Sequence, residues 1–173
     1  MALRKMLGSA DHPEIVRLMR LIETQSKTTL TRFAADYAEA HYLPITAELI
    51  PEETRLRDAL AAVRAHLDGA PLSAVKAAVK EARAASQALA KSPVAQAAAR
   101  AIATACGVAV TPTNALGFTF YGAAAFAYHT AGTEADRAIH NSLADQELAR
   151  IHAALEAVCI AEEPDPVKID WGC

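Results

Sequence analysis

The sequence predicts an all-α protein, an Ala-rich bundle of six or seven helices around a buried central helix at about 113–131. Apolar residues recur at steps of three and four through most of the chain, and no stretch of useful length alternates as a half-buried strand does. Alanine supplies 42 of the 173 residues, a composition that favours helices and lets them approach closely. Between Arg100 and Glu134 there is no Asp, Glu, Lys or Arg. Within that stretch Thr113 to Gly132 is apolar or small on almost every face, so a helix there has no solvent side and its neighbours must surround it.

The elements follow in order. Asp11-x-x-Glu14, with Pro13 just inside, reads as a capping box opening a helix that turns Ile15, Leu18, Met19 and Ile22 inward. Ser26 caps a second helix whose stripe is Leu30, Phe33, Ala34, Tyr37, Ala38 and His41, and Pro44 ends it. A short turn at 45–50 leads to Pro51, where a third helix begins and runs to Leu67 before Gly69 and Pro71 stop it. Leu72, Val75, Val79, Ala82, Ser86 and Leu89 form the narrow seam of a fourth helix. Ser92 and Pro93 restart the chain as a fifth, to about Ala109, and Pro112 separates it from the central helix. Gly117 and Gly122 inside that helix permit close approach by another. Thr133-x-x-Asp136 opens the last helix, through Ile139, Leu143, Leu148, Ile151, Leu155 and Val158; a five-residue slip after Leu143 predicts a bend near Ala144. Residues 1–161 read as a single helical domain. Residues 162–173 form a tail too apolar to be solvated throughout, expected to dock through Val167, Ile169 and Trp171 on this subunit or a neighbour.

Composition narrows the function. The net charge is −3 and the 17 basic residues are scattered among 20 acidic ones, which is not the clustered surface that nucleic acid requires. The start of the chain lacks the apolar core of a secretory signal, and the central helix, with Asn114, Thr119, two tyrosines and His129, is too polar to span a membrane. Cys106, Cys159 and Cys173 are odd in number and form no CxxC, which fits a reducing, cytoplasmic setting. Cys106 reads as a small core residue and Cys173 as exposed.

No strong catalytic motif is present. A di-iron bundle needs Glu-x-x-His on two helices, and this chain has none. Asp136 and His140, four apart, read as a surface pair at a helix start. There is no Gly-x-Ser-x-Gly and no Gly-rich phosphate loop, so no catalytic residue, metal or cofactor is assigned. His129, near the end of the buried helix, needs a partner that Asp36 or His41 could supply. Asp36, Tyr37, His41, Asn114, Tyr121 and His129 are therefore the candidate pocket or partner site, to which the resemblance described next adds Glu39.

Ala34-Ala35-Asp36-Tyr37-Ala38-Glu39, then Leu43-Pro44, then Arg57-Asp58-Ala59-Leu60 opening an Ala-rich helix, resemble the immunity-five-like family of immunity proteins. The resemblance implies a bacterial, all-helical, non-enzymatic protein that binds and neutralises a cognate protein toxin, and Asp36 and Glu39 are the acids that match its pattern. Asp165, Pro166 and Trp171 lie outside it. The alternative is a small-molecule or metal-binding helical protein, or an enzyme, using a polar pocket near Asp36 and His129. The Ala-rich faces and apolar tail suit a homo-oligomer under either reading.

Overall fold

A computed structural model describes residues 2–172; Cys173 lies outside the described residues. The fold is all-α. Its seven helices of ten residues or more are α1 (Pro13–Ile22), α2 (Lys27–His41), α4 (Arg55–Leu67), α5 (Leu72–Ala88), α6 (Pro93–Cys106), α7 (Asn114–Ala131) and α8 (Arg137–Val158). The two-turn α3 (Leu43–Leu49) stands between α2 and α4, and a 3-10 turn over Gly107–Ala109 follows α6.

α3 replaces the expected turn at 45–50. Pro44 begins this helix as well as closing the one before it, because it occupies the first turn, where the missing N–H breaks no intrahelical bond. Tyr42 ends α2 and starts α3, and is itself buried. Two further boundaries and one expected bend differ. The cap of α1 is His12, whose Nδ1 accepts from the Glu14 N–H at 3.2 Å, one residue after Asp11. Residues 51–54 form a turn before α4. α8 runs unbroken through Ala144, and its buried line is His140, Ala144, Glu147, Leu148, Ile151 and Leu155. The five-residue slip is thus filled by an alanine and a buried glutamate, while Ile139 and Val158 face outward.

α6 and α7 share the interior. α6 packs against α2, α3, α4, α5 and α7, and α7 lies between α6 and α8. Both carry alanines with no exposed surface, Ala98, Ala101, Ala105, Ala123, Ala124 and Ala127 among them, and side chains this small let neighbouring helices pack closely. Cys106 is buried here, and burial pushes its thiol up to about 12.

Residues 4–7 and 160–171 both lie on this bundle. Leu7 is buried, its N–H donates to the Phe120 carbonyl at 3.2 Å, and the Tyr128 hydroxyl donates to the Arg4 carbonyl at 2.7 Å. The tail covers the α1–α2 corner. Gln25 exchanges two hydrogen bonds with the backbone of Ile160, the Val167 N–H donates to the Gln25 carbonyl at 2.9 Å, and Val167, Ile169 and Trp171 pack on the core. The Glu163 carboxylate sits at the start of α2, where it accepts from the Ser26 N–H (2.8 Å), the Ser26 hydroxyl (2.7 Å) and the Thr29 hydroxyl. A negative group at a helix N-terminus meets unpaired N–H groups and the positive end of the dipole.

Partial burial alone would raise the Glu163 pKa, but these hydrogen bonds outweigh it and hold the value below the usual 4.5. A carboxyl whose folded value is depressed stabilises above its unfolded value, and that stability is lost as pH falls through the folded value. Trp171 is the single tryptophan, and its indole N–H donates to Glu23 at 2.6 Å. Acidification below about pH 4 is therefore expected to red-shift the Trp171 emission as the tail loosens, before the far-ultraviolet helix signal falls. A spectrum that changes only when the helices melt would show that Glu163 does not hold the tail.

Candidate functional site

The polar interior is organised by Glu147, which α8 carries into the bundle with no exposed surface. A carboxylate there must be paired and hydrogen-bonded at every lone pair available to it. One oxygen accepts from the Tyr37 hydroxyl of α2 at 3.0 Å and the Tyr42 hydroxyl at 2.7 Å. The other accepts from Arg150, one turn along α8, through Nε at 2.9 Å and through Nη2. Arg150 lies 4.2 Å over the Phe126 ring of α7, a cation–π contact that fixes the guanidinium plane.

Tyr42 reaches Glu147 because residue 122 is glycine. A Cβ built on Gly122 would overlap the Tyr42 hydroxyl and ring, with Cε2 at 2.9 Å. The glycine admits a side chain from α2's end, where the sequence suggested the approach of a whole helix. At Gly117, by contrast, an added Cβ would meet Thr104 of α6 at ordinary contact distance.

The electrostatics agree with a closed network. Burial first, and the Glu147 charge second, push the Tyr37 and Tyr42 phenols far above their ordinary value, so both donate at any physiological pH. Burial works against the Arg150 charge, yet the bond to Glu147 raises its pKa overall. No buried side-chain nitrogen or oxygen among the described residues lacks a hydrogen-bond partner.

Outside this network is a cavity of about 260 Å³, with Glu147 and Arg150 on its floor and His41, Pro44, Glu48 and His129 around its mouth. His41 stacks on Tyr37, ring centroids 4.2 Å apart. His129 is exposed and pairs with Glu48 of α3 at 3.3 Å. The structure thus brings Tyr37, His41 and His129 to one place. Asp36 and Glu39 lie on the outer face of α2, both bound to Arg64 of α4, with Asp36 at 2.9 Å. Asn114 is at the far end of α7, roughly 22 Å from His129 by helical rise, where its amide donates to the Gly107 carbonyl at 3.0 Å. Tyr121 is half-buried against the core.

Sequence reading missed Glu147, Tyr42, Arg150 and Glu48. The stripe slip in α8 was the available signal, since Glu147 occupies a skipped inward position and Arg150 follows at i+3. His140, read as half of a surface pair, is buried, and its Nε2 contacts the Gly132 carbonyl at 2.8 Å. Among the described residues no group of three or more His, Cys, Asp or Glu could hold a metal ion, and no helix is long and apolar enough to cross a membrane.

An all-α bundle with an internally hydrogen-bonded polar core defines the class of protein, and comparison with known families places it. The model of the family described as "Imm-5 like putative immunity protein" matches residues 20–154, over three quarters of the chain. The chain belongs to that family. No curated protein and no solved structure matches it.

Proposed function

We propose that the protein binds and neutralises a cognate protein toxin without catalysing a reaction, in the cytoplasm of a bacterium. Family membership carries the reading: the matched residues take in α2 through α7 whole and most of α8, the helices that build the Glu147 network. Both oxygens of Glu147 are filled by groups of its own chain, which suits a rigid scaffold better than a reacting centre. The surface favoured for the toxin is the outer side of α2 and α3. Its acids Asp36, Glu39 and Glu48 have side chains 56%, 44% and 66% exposed, and the apolar Leu49, next to Glu48 in α3, is 42% exposed. An exposed apolar side chain next to an exposed acid, Leu49 with Glu48, fits a partner that offers an apolar pocket and a basic group beside it. Copies of the chain would associate through Val158 and Ile160, each half exposed.

Coexpression with the toxin-like product of an adjoining gene tests this. The expected outcome is restored growth and a complex that survives gel filtration, with the double variant Glu48→Lys, Leu49→Asp binding at least tenfold more weakly at an unchanged urea midpoint. A neighbour product that neither harms the cell nor binds would sink the proposal, and native mass spectrometry of the complex counts the copies.

A further inference from the structure

A second, larger cavity of about 430 Å³ lies at the α7–α8 joint, away from the Glu147 network. Leu7, Tyr128 and His140, all buried, form its floor, and the segment at residues 2–4 closes one side. This wall precedes residue 20, outside the family match.

His140 is held in one orientation. Its ring stands edge-on to Tyr128, centroids 4.8 Å apart at 80°, and because a carbonyl can only accept, Nε2 carries the proton that bonds Gly132. Nδ1 has no hydrogen-bond partner among the described residues. His140 itself is one of the residues that line the cavity.

Charges of both signs surround it. Glu134 and Asp136 contribute carboxylates, and the Asp136 side chain makes no capping bond although it is the N-cap of the 22-residue α8. The first-turn N–H groups of α8 are thus left without a side-chain acceptor. Arg4, which bonds Asn141, and Arg137, which has no side-chain bond among the described residues, supply guanidinium groups. A ligand bearing only a cation would meet two arginines and the positive end of α8, and one bearing only an anion would meet two carboxylates. Leu3, Leu7 and Pro93 line the remainder and suit an aliphatic or aromatic group. The volume falls in the usual range of small-molecule sites, roughly 300–1,000 Å³.

From this combination we propose that the cavity binds a free α-amino acid with an apolar side chain. Its carboxylate lies toward the start of α8 and Arg137, its ammonium toward His140 Nδ1 and the two acids, and its side chain over Leu3 and Leu7. The proposal does not depend on toxin binding.

Isothermal titration of the full chain with L-valine, L-leucine, L-methionine and L-phenylalanine is the test. At least one is expected to bind saturably, and at least tenfold more tightly than the matching amine without a carboxylate or the matching acid without an amine; for leucine these are isoamylamine and 4-methylpentanoate. Arg137→Ala, an exposed substitution that removes no side-chain bond among the described residues, is expected to weaken binding fivefold or more at an unchanged melting temperature. Absence of binding by all four at millimolar concentration overturns the proposal. So does equal binding of either half-ligand, or an Arg137→Ala variant that binds as the parent does.

Discussion

Replacing Gly122 by alanine is expected to lower the unfolding free energy by about 3 kcal/mol, a large cost for one methyl group. The added Cβ overlaps the Tyr42 hydroxyl and ring, so Tyr42 must leave its place or α7 must move away. Overpacking of this kind costs about 1–3 kcal/mol, and losing a hydrogen bond to a charged group adds roughly 1.5–3 kcal/mol, partly offset by relaxation. Urea denaturation gives the value, and a double-mutant cycle gives the cause. On a Tyr42→Leu background the glycine substitution should cost little, which makes the two strongly non-additive. Equal costs on both backgrounds would place the damage elsewhere in α7.

The second large effect is at Glu147. Glu147→Ala strands two buried hydroxyls, at about 1–3 kcal/mol each, and takes the counterion from Arg150, whose side chain is 50% exposed, so a loss of roughly 3 kcal/mol is expected. Glu147→Gln keeps an acceptor for the tyrosines but turns an amide toward a guanidinium, so an intermediate loss of roughly 2 kcal/mol is expected. Tyr37→Phe and Tyr42→Phe should each cost about 1–2 kcal/mol, and less on the Glu147→Ala background, where their partner is gone. A Glu147→Ala protein as stable as the parent in urea would show that the network contributes nothing net. Of the two substitutions, Glu147→Gln is the one to carry into toxin-binding assays, since it changes charge with little change of shape.

These two sites show where the sequence is readable and where it is not. The helix count and most boundaries follow from apolar spacing, Ser26, the Gly and Pro stops and the uncharged stretch at 101–133, because each is a local property of the chain. α3 was concealed since a proline is both a helix terminator and a favoured first-turn residue, and only the position of Tyr42 separates the two roles. Glu147 was concealed for a different reason. Its burial is made tolerable by Tyr37 and Tyr42, 110 and 105 residues away, and periodicity says nothing about partners at that distance. His129 was visible as a polar residue on a greasy helix, but its companion is Glu48, because Asp36 points outward to Arg64. Asn114 shares a helix with His129, and being on one helix does not bring two residues to one pocket.

The docking of residues 160–171 on the α1–α2 corner has a consequence for synthesis. Gln25 and Ile160 are 135 residues apart, and Trp171 is 148 from Glu23. At a translation rate of roughly 5–20 residues per second, the corner leaves the ribosome about 7–27 s before the segment that covers it. Through that interval the Ser26 N–H and the buried Gln25 amide are open to water or to other chains, and any nascent peptide with a suitably placed carboxylate can occupy the start of α2. The covering segment thus sets the moment at which the growing polypeptide stops being receptive to strangers.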